Sequence, residues 1–216
     1  MARSTRPPYS SSARLAVKFG QRFADAGIGV ASVNYRLHPE VQFSAYVEDA
    51  AAAVAFVRRT ISKHGGSPDC IFVSGHSAGG YLTTMVGVDN RYLAKHSLSL
   101  GSIAGLIPVS GQMVTHSTVR AERGIPRSRP IIDAAAPAYH VGQDVSPLLA
   151  VVGGQDLPAR AEESRYFVAA MKAAGHKDVN YLEVAGRTHA TIANQIGEPN
   201  DVAADAMIEF IERRCR

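Results

Sequence analysis

A chain of 216 residues, 46% hydrophobic and 19% charged, with 19 Gly, 11 Pro and no Trp, has the composition of a globular domain and falls outside the disordered and collagen-like classes. No apolar run approaches the ~20 residues that span a bilayer, and the basic start MARSTRPPYSSSAR leads into no apolar signal segment, so neither membrane insertion nor secretion is expected and a cytoplasmic location is the default. The formal charge of +4 comes from basic residues interspersed with acidic ones, which reads as surface bias rather than as a nucleic-acid footprint.

From residue 28 onward short apolar runs alternate with longer amphipathic stretches, the pattern of βαβ units around a parallel sheet. The first predicted strand covers residues 30–35. Phe43, Val47, Ala50, Val54, Val57 and Ile61 then recur at steps of four and three, giving a helix with one apolar face, capped by Ser44 and stopped by Gly65-Gly66. Further strands are expected at residues 70–74, 103–109, 148–152 and 179–184. A helix should fill residues 159–174, with Phe167, Ala170, Met171 and Ala174 inward and Gly175 as its stop. The last, residues 201–214, buries Ala203, Ala206, Met207, Phe210 and Ile211 and carries Arg213 and Arg214 at its negative end. Two cysteines, Cys70 and Cys215, are too few for a disulfide framework and lack metal-ligand spacing. We read residues 1–216 as one domain.

Residues 111–146 break the rhythm. A structureless connection of that length is uncommon in a compact domain. Pro126, Pro130 and Pro137 argue against one long helix, so short helices and turns forming a lid or pocket wall are expected there.

Gly75-His76-Ser77-Ala78-Gly79 matches Gly-x-Ser-x-Gly, the elbow that exposes a nucleophilic serine between strand and helix. CIFVSG supplies the strand before it and YLTTMVGV the helical start after it. A serine hydroxyl needs a histidine to take its proton and a carboxylate to orient that histidine. Strand-to-helix loops share the edge of a parallel sheet where ligands bind, and this sorts the eight histidines. His64, His96 and His176 fall on the opposite edge, as surface or capping residues. His38 lies on the ligand edge. His76 adjoins the serine and should point away from it. His116 and His140 belong to the lid. His189 follows the last strand in Gly186-Arg187-Thr188-His189 and is the best base. Asp156 follows the strand LLAVV in Gly153-Gly154-Gln155-Asp156, whereas Asp133 and Asp144 lie in the excursion. The order Ser77, Asp156, His189 is that of α/β-hydrolases. The competing reading, Asp156 as a helix cap and His189 as a solvated loop residue, leaves the three placements a coincidence.

Through VNYRLHPE, VSGHSAGGYL, GGQD and AGRTHATI, the sequence from about residue 13 onward resembles the α/β-hydrolase superfamily, in particular small carboxylesterases of the kynurenine-formamidase-like and feruloyl- or acetyl-esterase-like groups. VSGHSAGG, residues 73–80, is the most specific piece. The resemblance implies a mostly parallel sheet with helices on both faces. It also implies Ser77 as nucleophile, Asp156 as orienting acid, His189 as general base and the Ala78 backbone N–H as an oxyanion donor, with no cofactor or metal and a small ester or amide as substrate. Such enzymes begin with three further strands and an HGGG-type loop. Here only twelve residues stand in that place, and His64-Gly65-Gly66 ends a helix on the wrong edge, so an N-terminally shortened chain is expected, with a sheet that lacks a central strand. The rival expectation is an α/β-hydrolase-like binding protein or fragment that keeps the triad without a working oxyanion hole. A phosphate- or dinucleotide-binding protein is disfavoured because no Gly-rich phosphate loop follows the first strand. Arg120, Arg123, Arg127 and Arg129 read as a solvated lid surface rather than as a receptor for an acidic group.

Overall fold

Four apolar runs pair into one parallel sheet in the computed structural model, which describes residues 11–215. The strands β1 (Phe72–His76), β2 (Gly105–Val109), β3 (Leu148–Gln155) and β4 (Val179–Thr188) lie side by side in chain order. Phe72 sits opposite Gly105 and His76 opposite Val109, while Val151 is in register with both Val109 and Leu182. Parallel neighbours need crossovers, and helices supply them. The chain runs through α1 (Ser11–Ala24), α2 (Ala45–Thr60), α3 (Ala78–Val88), α4 (Asn90–Ala94), α5 (Ser117–Glu122), α6 (Arg160–Ala173), α7 (His189–Asn194) and α8 (Val202–Cys215).

Alternation along the strands sends side chains to two apolar cores. Leu106, Leu148, Ala150 and Val179 face Val47 and Val54 of α2, Met85 of α3, Leu93 of α4, and Phe167 and Met171 of α6. Ile107, Val109, Leu149 and Val151 face Phe23 of α1, Ile192 of α7, and Met207 and Phe210 of α8. Both faces of the sheet are therefore covered, which is what near-continuous apolar strands require. Helix stops follow the glycines: Gly65, with φ of 80°, ends a 3-10 extension of α2, and Gly175, with φ of 90°, follows α6. Asp201 caps α8 by accepting from the Ala204 N–H at 2.9 Å. Ser44 sits before α2 but makes no side-chain cap, because its hydroxyl donates to Glu48 Oε1.

Two expectations need correction. Residues 30–35 are not a strand: Val30 and Val33 are 44% and 49% exposed, and β1 pairs with β2 alone among the described residues. An apolar run becomes a strand only where a neighbour offers free ladder groups, and no described strand lies beside this one. Arg36 instead fastens the segment to α2, with its backbone N–H and guanidinium both on Asp49. The central strand expected to be missing would stand between residues 30–35 and β1, and on that side of β1 no described strand pairs with it, while its other side pairs regularly with β2. The second correction concerns the cysteines, which are bonded to each other across a sequence separation of 145, with Cα atoms 5.8 Å apart. The end of α8 returns to the start of β1, where Phe72 and Phe210 meet edge to face. Sequence distance concealed that proximity.

The excursion holds the short helix α5 and a 3-10 turn at Pro137–His140. Met113, Val119, Ala135 and Ala136 are buried, so it is a packed wall. Glu122 ties it to residue 43 by accepting from the Phe43 N–H at 2.9 Å.

Candidate active site

The C-terminal ends of β1, β2, β3 and β4 bring Ser77, Ser110, Asp156 and His189 to one edge. Ser77 follows β1 and precedes α3 with φ of 58° and ψ of −114°, a conformation a non-glycine residue holds only at a cost of about 1–3 kcal/mol. Its backbone is clamped from both sides, its N–H donating to Val109 O at 2.9 Å and its carbonyl accepting from the Tyr81 N–H at 3.1 Å. The glycines divide this tight packing unevenly. A Cβ at Gly75 would lie 2.6 Å from the Gly79 backbone, and one at Gly80 would lie 2.9 Å from the Gly111 backbone, but one at Gly79 would meet nothing within 4 Å. The crowded positions are thus Gly75 and Gly80, rather than the two glycines of the five-residue motif.

His189 is the first residue of α7, directly after β4, where Thr188 caps the helix and fixes the ring's point of departure. His189 Nδ1 lies 2.6 Å from Asp156 Oδ1, and Nε2 lies 2.9 Å from Ser77 Oγ. An ionised carboxylate only accepts, so Nδ1 carries the proton and Nε2 is left to accept from the serine hydroxyl. Asp156 is held in turn by Ser110 Oγ, which donates to Oδ2 at 2.5 Å, and by the Leu157 N–H, which donates to Oδ1 at 2.6 Å. Burial pushes the Asp156 carboxyl up, but the bonds from Ser110, Leu157 and His189 outweigh it and hold the group below its ordinary value. It therefore stays charged beside the imidazole.

The structure brings the three sequence-predicted side chains together and leaves the other histidines in separate roles. His176 is buried on the far edge, where Nε2 donates to Val145 O and Nδ1 accepts from the Asp178 N–H. His140 Nε2 donates to Ala134 O, and His38 lies 3.4 Å from Glu122. His116 caps α5 by accepting from the Thr118 N–H, with its ring 4.9 Å from that of Tyr81. His76, expected to point away from the serine, makes no bond to it, yet it takes part in the site. Its Nε2 donates to His189 O at 2.8 Å, and the two rings pack at 4.6 Å. Burial first, and the neighbouring His189 second, push the His76 imidazole down. Sequence reasoning missed this support, and it missed Ser110, which only the β2–β3 pairing brings to Asp156. Among the described residues no cluster of side chains is arranged to hold a metal ion.

This architecture is the α/β-hydrolase fold. The family described as BD-FAE matches residues 9–102, a span that contains Ser77. Esterase LipC of Mycobacterium tuberculosis is 28% identical over 186 residues, covering 78% of this chain and 46% of that protein. The probable isoprenylcysteine alpha-carbonyl methylesterase ICMEL1 of Oryza sativa is 27% identical over 215 residues, covering 89% of this chain and 50% of that one. The chain spans about half the length of these curated relatives. Among solved structures, a truncated form of a carbohydrate esterase from gut microbiota superposes with a TM-score of 0.76 at 21% identity, over 95% of this chain and 80% of that one. Thermogutta terrifontis Est2 with bound propionate gives 0.69 at 22% identity, over 90% and 73%. The chain thus has the α/β-hydrolase fold and is similar in sequence to proteins named as esterases.

Proposed function

We propose that the chain is a serine hydrolase of the carboxylesterase type, cleaving a small ester or amide through an acyl-enzyme. The observation that carries this reading is the continuous bonded line from Ser77 Oγ through His189 to Asp156. Ser77 Oγ attacks the substrate carbonyl as His189 Nε2 takes its proton, and Asp156 stabilises the imidazolium through Nδ1–H. The Ala78 N–H, at the first position of α3, donates to the oxyanion. Collapse of the tetrahedral intermediate expels the alcohol or amine, which receives the proton from His189. A water then repeats the sequence on the acyl-serine and releases the acid, restoring the Ser77 hydroxyl. No step needs a cofactor. The names of the esterase relatives support an ester as the bond broken.

The test is turnover of p-nitrophenyl acetate with covalent labelling by a fluorophosphonate. The wild type should turn over the ester and take the label at Ser77, and Ser77→Ala should lose both. Unlabelled Ser77 with no turnover would reduce the chain to a binding protein.

A further inference from the structure

A buried cation beside the catalytic line has no partner. Arg160 opens α6, four residues after Asp156, and is 8% exposed. Its Nε and Nη1 are buried without any hydrogen-bond acceptor, and no described residue forms an ion pair with it. A buried unpaired guanidinium is among the costliest groups a fold can hold. The two carboxylates within electrostatic range are committed elsewhere. Asp156 binds Ser110, Leu157 and His189, while Glu163 accepts from the Met113 and Val114 N–H groups.

The location of Arg160 is set by what surrounds it. The Glu163 contacts press the first turn of α6 against residues 113–114, downstream of the 109–111 segment that clamps Ser77 and touches Gly80. The Arg160 charge acts on Asp156, His76 and His116. The ring of His116 packs on Tyr81, whose N–H bonds Ser77 O. A second cation, Arg120, is 4% exposed; its Nη2 donates to Arg127 O at 2.7 Å, and its Nε has no acceptor. It too acts on Arg160 and His116, and burial together with the nearby arginines pushes His116 down to about 4, so the histidine is neutral and adds no third positive charge. Two buried guanidiniums, with three unfilled N–H nitrogens between them, thus stand within electrostatic range of the site, and the carboxylates that act on Arg160 are engaged by other donors.

We infer that Arg160, with Arg120 behind it, receives a carboxylate carried by the substrate, so that the preferred ester is one bearing a negative charge near the scissile bond. The carboxylate accepts from the Arg160 guanidinium, whose planar fork of donors suits it, and side chains around the enclosed nitrogens part to admit it. The inference rests on the hydrolase reading for its kinetic readout and stands apart from it in the binding one.

Two matched pairs of esters test it at constant ionic strength. Mono-p-nitrophenyl glutarate against p-nitrophenyl valerate places the charge on the acyl side, and 4-acetoxybenzoate against phenyl acetate places it on the leaving side. The wild type should prefer the charged member of one pair in kcat/KM. Arg160→Gln should cut that preference by about 10- to 100-fold, the range for losing hydrogen bonds to a charged group. Arg160→Lys should restore part of it, and the exposed Arg129→Gln should leave it unchanged. Calorimetric titration with glutarate supplies the second readout: binding to the wild type that disappears in Arg160→Gln supports the site even if no ester is cleaved. Preference absent from both pairs, or surviving in Arg160→Gln, overturns the inference, as does an absence of glutarate binding. Cleavage of neutral esters with no such preference would sink the inference and leave the hydrolase reading intact.

Discussion

His116 should set how steeply the fold weakens in mild acid. Burial and the charges of Arg160, Arg120 and Arg127 push its imidazole from 6.5 down to about 4, so the folded chain keeps it neutral at pH values where the unfolded chain would protonate it. Between those limits the unfolded state binds about one more proton, and stability must rise with pH. The contribution is fully present above 6.5 and is lost as pH falls toward 4. At about 1.36 kcal/mol per pH unit, that interval amounts to about 3 kcal/mol, a large share of the roughly 5–15 kcal/mol that holds a domain together. His116→Asn removes the titration while keeping a side-chain oxygen to accept from the Thr118 N–H. Urea unfolding of both chains across pH 4 to 7.5 checks it. The wild type should lose about 3 kcal/mol more than the variant over that range, although the variant starts lower for want of the ring contact with Tyr81. Parallel curves would refute the reasoning, because they would mean that the imidazole is protonated in the folded state at no unusual pH.

Reducing the Cys70–Cys215 disulfide, or replacing both cysteines by serine, should cost about 2–5 kcal/mol and lower the melting temperature by roughly 5–15 °C, because the bond closes a loop of 145 in sequence separation. Calorimetry with and without dithiothreitol measures this, and coincident melts would contradict it. Ser110→Ala removes the hydroxyl that donates to Asp156 and should destabilise the chain by about 1.5–3 kcal/mol. The depressed Asp156 pKa gives a stabilisation present above its ordinary value of 3.8 and lost as pH falls through the folded value. The gap between wild type and Ser110→Ala should therefore narrow below pH 3.8 in acid unfolding followed by circular dichroism, and a constant gap would count against the carboxylate as the acceptor.

The meeting of Ser77, Asp156 and His189 at one sheet edge was legible because each stands where a sequence can mark it. Apolar runs announce strands, the ends of parallel strands share an edge, and a serine set between glycines directly after such a run marks a tight turn into a helix. The boundaries were less legible: β4 reaches Thr188, beyond the apolar run that announces it, because backbone pairing of Gln155 with Thr188 persists past the register shift at Gly153. The run at residues 30–35 has a strand's composition without a strand's partner, and pairing is a property of the neighbour. Arg160 was invisible for a related reason. An arginine in an amphipathic helix reads as solvated, and only packing reveals that its nitrogens are enclosed. The neighbouring arginines of the excursion divide the same way, with Arg120 buried and Arg123, Arg127 and Arg129 exposed.

The bond between Cys70 and Cys215 also decides where mechanical load travels. Every strand of the sheet, and Ser77, Asp156 and His189 with them, lies between the two cysteines. Tension drawn through the polypeptide before Cys70 and after Cys215 passes from sulfur to sulfur, and the enclosed segment, on the order of 500 Å of contour if fully extended, is spared. Among the described residues, α1, α2 and the linking residues ahead of β1 pay out under stretching, whereas the edge that carries Ser77, Asp156 and His189 yields its length only once the sulfurs part.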